Sequence, residues 1–224
     1  MKKTFITTNA IMLALILIFD VCYMIKGGLF FKSIASMLFV ATGFINLKYC
    51  MNNKTNLRFP IWMMVALIWA MIGDILIVTN FILGAAAFAV GHIFYFVAYC
   101  MLDKINRRDF LCGISIMAIA LSIILFIPFL DFESQLMLGV CCTYAMIISF
   151  MVGKAISNVW QEKNLLNKVI VVGSILFFIS DFMLMLDVFG NISVASYLCL
   201  ATYYPAQFLL AFSLLISGSK KFVW

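Results

Sequence analysis

Two short stretches put carboxylates where carboxylates are costly: Gly73-Asp74-Ile75-Leu76 and Ser180-Asp181-Phe182-Met183. Each lies well inside an apolar run long enough to cross a bilayer. A charge at that depth costs about 2.5–3.5 kcal/mol on insertion scales, so it is rare unless it serves a site. The plain alternative is a packing residue that bonds to a neighbouring helix. Carboxyls withdrawn from water resist ionising, and two close together cannot easily both ionise. One then tends to hold a proton near neutral pH while its partner stays charged, which supplies a general acid and a general base together. Such a pair suits hydrolysis without a metal or a covalent nucleophile. The chain has no His-Glu-x-x-His and no Gly-x-Ser-x-Gly, and its single His gives too few nitrogen ligands for a typical zinc site. No metal and no cofactor are expected.

The elements that must position these acids are membrane helices. Apolar residues make up 66% of the chain and charged ones 11%, with a mean hydropathy of +1.16. A soluble domain has about 25% charged residues, and this chain has too little polar surface to face water. A spanning helix needs about 20 apolar residues. Eight segments qualify, at Phe5–Ile25, Leu29–Tyr49, Pro60–Thr79, Phe81–Leu102, Phe110–Pro128, Gln135–Ser157, Lys168–Asp187 and Ile192–Ser217. The expected fold is all-α, a polytopic membrane protein of eight transmembrane helices forming one domain over residues 1–224. The alternation of lipid-facing barrel strands is missing. The opening Met1-Lys2-Lys3 imitates a signal peptide, but the apolar run after it is too long for one and reads as the first span.

The net charge of +6 would suggest nucleic acid in a soluble protein. Here the basic residues act as orientation signals, and no nucleic acid is expected. Lys2, Lys3, Lys48, Lys54, Arg58, Lys104, Arg107, Arg108, Lys154, Lys163, Lys168, Lys220 and Lys221 fall on one side, and Lys26 and Lys32 on the other. The positive-inside rule then places both termini in the cytoplasm. Compact loops and the lack of organelle signals point to a bacterial cytoplasmic membrane. The seven Cys lie scattered within apolar runs and read as packing residues. Met71-Ile72-Gly73-Asp74-Ile75 resembles Phe178-Ile179-Ser180-Asp181-Phe182, which suggests two parallel four-helix halves.

At about 1.5 Å per residue, Asp74 and Asp181 lie some two-thirds of the way across, in the outer half. His92 falls near the middle, with Tyr95 one turn deeper. Tyr144, Tyr203, Tyr204 and Gln207 reach mid-membrane, and Asp20 and Lys32 lie near the outer face. Together they outline a cavity that opens towards the outer leaflet. Each has a plain alternative: His92 as a satisfied packing residue, Tyr95, Tyr144 and Tyr204 as aromatics bonding across helices, and Gln207 as repair of the turn broken by Pro205. Lys32 could simply snorkel to the surface, and Asp20 lies where solvation is easy.

The ordered set Gly73-Asp74, Gly91-His92-Ile93-Phe94-Tyr95, Ser180-Asp181 and Tyr204-Pro205-Ala206-Gln207 resembles the YhhN-like lysoplasmalogenase family over essentially the whole chain. Lys32 matches too, although Ser33 follows it where that family often has Pro. The resemblance implies hydrolysis of the vinyl ether bond of a lysoplasmalogen, giving a fatty aldehyde and a glycerophospho-alcohol. One Asp would protonate the vinyl carbon. The other would stabilise the oxocarbenium ion and activate water, as carboxylate pairs do in glycosidases. Which Asp is the acid stays open, as do head group, chain length and oligomeric state. His92 and the tyrosines would position water and ether oxygen, and Lys32 would hold the phosphate. The main rival is a proton-coupled transporter, since intramembrane Asp and His serve proton relays. An intramembrane aspartyl protease fits poorly, because Met71 stands where its Gly-x-Gly-Asp pattern needs Gly. A non-catalytic membrane partner protein is the remaining alternative.

Overall fold

The computed structural model describes residues 2–219, and within them eight helices and no strand. They are α1 (Lys2–Lys26), α2 (Leu29–Asn52), α3 (Arg58–Ile77), α4 (Phe81–Cys100), α5 (Arg107–Phe126), α6 (Gln135–Gln161), α7 (Leu165–Gly190) and α8 (Ser193–Ser217). All eight are long and apolar enough to cross a membrane. The chain is an integral membrane protein. Helix α6 runs one turn further at its end, and α7 further at both ends, than hydropathy predicts, and polar residues cap the start of each. Ser134 accepts from the Met137 amide and Asn164 from the Asn167 amide, while Asn191 closes α7 in the left-handed region at φ 54°. Asn80 caps α4 by accepting from the Leu83 amide, so α3 and α4 are separate helices despite a linker of three residues. Asn106 and Asp109 form a capping box at the start of α5.

Six helices, α2, α3, α4, α6, α7 and α8, close into a ring, each packed on the next. Helix α1 lies outside against α2 and α8, and α5 lies outside against α6. The packing order repeats after four helices: α3 on α4 corresponds to α7 on α8, and α4 on α6 to α8 on α2. Two contacts break the repeat, since α1 and α3 also touch α8. The interior of the ring is filled by Phe39, Tyr95, Phe177, Tyr203 and Tyr204, all buried. Ile11, Leu111, Phe126 and Leu136 point outward, as lipid-facing residues should. With no hydrophobic drive between helices in lipid, close packing and polar contacts hold the ring together. Gly153 meets Gly113 backbone to backbone where α6 crosses α5, an approach that a Cβ at Gly153 would block. Asn9 and Asn46 exchange amide hydrogen bonds of 2.8 and 2.9 Å between α1 and α2.

Most basic side chains gather at the end where α3, α5 and α7 begin. Lys154 is a correction: counted among the orientation charges, it is wholly buried on α6. It donates to Asp109 at 2.8 Å and to the Lys104 carbonyl at 3.0 Å. Lys220 and Lys221 lie outside the described residues.

Candidate functional site

Asp74 and Asp181 each stand sixteen residues beyond the first residue of their helices, Arg58 of α3 and Leu165 of α7. At ~1.5 Å per residue both are roughly 24 Å along. Helix α3 ends three residues later and α7 nine, so Asp74 lies near a helix end and Asp181 does not.

Asp74 is 1% exposed. Its Oδ2 accepts from the Ser36 hydroxyl at 2.6 Å and the Tyr203 hydroxyl at 2.7 Å. Lys32 Nζ stands 3.6 Å from Oδ1. Ser36 sits one turn after Lys32 on α2, so both side chains reach α3 from the same face. Asp20, buried on α1, lies within electrostatic reach of Asp74 and Lys32, and its Oδ1 has no partner among the described residues. The Tyr204 hydroxyl donates to the Lys32 carbonyl at 3.4 Å, and Lys32 Nζ lies 5.4 Å from the centre of the Tyr23 ring. Helices α1, α2, α3 and α8 therefore build one enclosed polar cluster. Three hydroxyl or ammonium groups face the Asp74 carboxyl.

Asp181 belongs to a second cluster on α4, α6 and α7. Its Oδ2 accepts from the Tyr144 hydroxyl at 2.7 Å and stands 3.3 Å from His92 Nε2. Nε2 is also 2.8 Å from the Tyr144 oxygen. With the Tyr144 proton directed at Asp181, the consistent assignment has His92 Nε2–H donating to Tyr144. Nδ1 then faces the thioether of Met151 at 3.3 Å. The Asp181 side chain is 14% exposed.

That exposure opens onto a cavity of about 90 Å³ between the end of α3 and helices α4–α7. Tyr144 and Asp181 supply its polar end, and Ala85, Ala120, Ala145, Ile148 and Phe178 are among its apolar walls. Asp74, Asp20 and Lys32 do not line it. The outlined single cavity is thus two neighbouring clusters with one apolar chamber, on Asp181.

No hydrogen bond joins Asp74 to Asp181. The ring of Phe177 stands between their neighbours, 4.6 Å from His92 and 5.3 Å from Tyr203, centre to centre. Cys199 of α8, 3.4 Å from Ser180, lies within the electrostatic reach of Asp181, Lys32 and Asp74 alike, so the two fields overlap there. Tyr95 and Gln207 form a third pair at 2.8 Å, one turn deeper than His92. Glycine before Asp74 has a packing reason: a Cβ on Gly73 would stand 2.8 Å from the ring of Phe88, which packs on Phe177 and Tyr203.

Sequence reasoning left Ser36, Met151 and Phe177 out of the site, and it carried Tyr204 as a candidate while Tyr203, which bonds Asp74, was placed only by depth. The i, i+4 spacing of Lys32 and Ser36 was the one available signal. Nothing in the spacing of the other three separates them from ordinary core residues.

The fold and these clusters define a class: a polytopic α-helical membrane protein with acidic residues buried in its helix ring. Residues 4–214 match the YhhN family, and the chain belongs to it. No curated protein matches the chain, and no solved structure does.

Proposed function

We propose that this protein is a membrane hydrolase that cleaves the vinyl ether bond of lysoplasmalogens, releasing a fatty aldehyde and a glycerophospho-alcohol. The observation that carries the reading is the placement of Asp181 and Tyr144, with His92 bonded behind them, as the polar groups of an otherwise apolar chamber. A single hydrocarbon chain suits such a chamber, and the reacting bond of a lysoplasmalogen sits where its chain meets its polar part. Membership of the YhhN family supports the same reading.

In this mechanism Asp181 begins protonated. It gives its proton to the vinyl carbon remote from oxygen, and the C=C electron pair forms the new C–H bond. The adjacent carbon becomes an oxocarbenium ion. Water adds to that carbon and returns a proton to the Asp181 carboxylate, which regenerates the acid and leaves a hemiacetal. Transfer of the hemiacetal hydroxyl proton to the ether oxygen breaks the C–O bond and frees aldehyde and alcohol. Asp181 thus acts as acid and then as base, a switch known from carboxylates in glycosidases. Tyr144 and His92 hold its carboxyl in place. Asp74, on the far side of Phe177 among Ser36, Tyr203 and Lys32, is the second carboxyl of the mechanism, and in its ionised form it favours the cationic intermediate.

The test is incubation of the purified protein with a lysoplasmalogen and, separately, a saturated lysophospholipid, followed by aldehyde detection. Aldehyde from the first alone is expected. Absence of aldehyde from both, with proton-linked uptake into vesicles, would replace this reading with transport.

A further inference from the structure

His92 is wholly buried, and two residues of α6 hold its ring. Tyr144 and Met151 stand at positions i and i+7 of that helix, about two turns apart on one face. The Tyr144 oxygen lies 2.8 Å from Nε2, and the Met151 sulfur, itself wholly buried, lies 3.3 Å from Nδ1. Among the described residues Nδ1 makes no other polar contact. On its remaining sides the ring meets Phe177, 4.6 Å away centre to centre, and Tyr95, whose hydroxyl goes to Gln207 at 2.8 Å. Turning the imidazole over would set ring carbons against both Tyr144 and Met151, so these contacts fix its orientation.

A thioether carries lone pairs and no proton, so it accepts hydrogen bonds and never donates them. A bare Nδ1 would set one lone pair against another, whereas an Nδ1–H is satisfied. The bond made at one ring nitrogen settles the role of the other. With Nδ1–H given to sulfur, Nε2 of the neutral ring is the basic nitrogen, and it faces Tyr144 and, at 3.3 Å, Asp181 Oδ2. When Asp181 is ionised, the phenol proton points at the carboxylate and Nε2 carries a proton of its own, so the ring is an imidazolium. When Asp181 is protonated, as the reaction proposed above begins, the order reverses. The carboxyl O–H then donates to the phenol oxygen, and the phenol O–H to Nε2.

We infer that Met151 is a positioning residue: its sulfur takes the Nδ1–H of His92 and so makes Nε2 the nitrogen that exchanges a proton with Asp181 through Tyr144. The exchange balances. The carboxyl O–H breaks as its proton joins the phenol oxygen, and the phenol O–H breaks as its own proton joins Nε2. Carboxylic acid and imidazole become carboxylate and imidazolium, with no change in total charge, and Tyr144 ends as it began. His92 thereby stores a proton for Asp181 behind an apolar chamber. The use made of that proton rests on the acid role proposed for Asp181; the tautomer does not.

The chain has a single His, so ¹⁵N-histidine labelling of the full chain, without a polyhistidine tag, leaves one imidazole to observe by NMR in phosphatidylcholine nanodiscs. In the wild type at neutral pH, with no substrate present, Nδ1 is expected to carry a bonded proton. Asp181→Asn should keep that proton on Nδ1 and leave Nε2 bare, because the carboxyl that supplies it is gone. Met151→Leu keeps the volume and removes the acceptor. In its neutral ring the ratio of Nδ1–H to Nε2–H should fall about fivefold, the worth of one net hydrogen bond. Met151→Gln, whose Oε1 accepts in place of sulfur, should restore the ratio, and aldehyde release should fall and recover with it. A bare Nδ1 in the wild type, a Met151→Leu spectrum identical to wild type, or a protonated Nε2 in Asp181→Asn would overturn the inference. The wild-type spectrum decides alone if Met151→Leu fails to fold. Absence of aldehyde from the wild type would sink the reaction proposed for Asp181, while the tautomer still stands or falls on the nitrogen signals.

Discussion

Tyr144 and Asp181 meet across α6 and α7 at 2.7 Å, with the phenol donating and the carboxylate accepting. His92 Nε2 lies 2.8 Å from the same phenol oxygen and 3.3 Å from the carboxyl oxygen, so two side chains from two other helices converge on the Asp181 carboxyl, which lines an apolar chamber. A carboxyl held this way has one position, and general acid catalysis depends on that position as much as on its proton.

Asp181→Asn removes the proton donor and keeps the shape. Aldehyde release from a lysoplasmalogen should fall by about 10²–10⁴-fold, while far-UV circular dichroism and elution in detergent stay those of the wild type. Tyr144→Phe keeps the acid and removes the hydroxyl that holds it. A fall of roughly tenfold is expected, the cost of one buried hydrogen bond. Near-normal turnover of Asp181→Asn would remove it from the chemistry.

Asp74 sits in a different setting, and its substitution should have two consequences that can be separated. Asp74→Asn leaves Lys32 without its counter-ion beside two hydroxyls that lose a charged acceptor. Breaking a buried pair from one side costs about 3 kcal/mol or more, so thermal unfolding in detergent should shift to lower temperature and aldehyde release should be lost. Asp74→Asn with Lys32→Met removes the orphaned charge and should restore much of the unfolding temperature. Activity should not return, because the negative potential is still missing.

How far this site could be read in the sequence follows from which forces act locally. Asp74 and Asp181 stood out because an acid inside twenty apolar residues is costly wherever the helix packs. The eight helices stood out as apolar runs of spanning length, and the split between α3 and α4 followed from where the basic residues fall; the structure makes it with the Asn80 cap, which needs only residues 80–83. The choice of partners is different. Whether Phe177 turns towards His92 and Tyr203 depends on how α7 is rotated in the ring, and a helix that is apolar all round carries no rotation signal. Lys154 makes the same point from the polar side. At the end of an apolar run a lysine can snorkel outward or turn inward to an acid, and its partner Asp109 lies 45 residues away on another helix.

Away from both clusters, Asn46 offers a stability test with activity as its control. It donates to Asn9 at 2.9 Å and to the Ala211 carbonyl at 3.0 Å, and it accepts from Asn9 at 2.8 Å. Asn46→Ala leaves the buried Asn9 Oδ1 without its donor, at about 1–3 kcal/mol. The unfolding temperature should drop, with turnover per folded molecule unchanged. Asn9→Ala on the same background should cost little more, because the pair acts as a unit.

The chamber beside Asp181 should set which hydrocarbon chains are accepted. Ala145 lines it from α6 next to Tyr144, and Ala120 lines it from α5, so both walls carry small side chains that can be enlarged. Ala145→Phe would place a ring in a space of about 90 Å³. Overpacking costs roughly 1–3 kcal/mol where neighbours must shift, but this ring has an unfilled volume to enter. Long-chain substrates should therefore lose at least about tenfold in kcat/KM, one decade per 1.4 kcal/mol of lost contact, and short-chain ones much less. Ala120→Leu, which approaches from the outer helix, serves as the second variant if Ala145→Phe is unstable. A uniform loss across chain lengths in both would place the chain elsewhere, and the polar end at Asp181 would then need a different substrate.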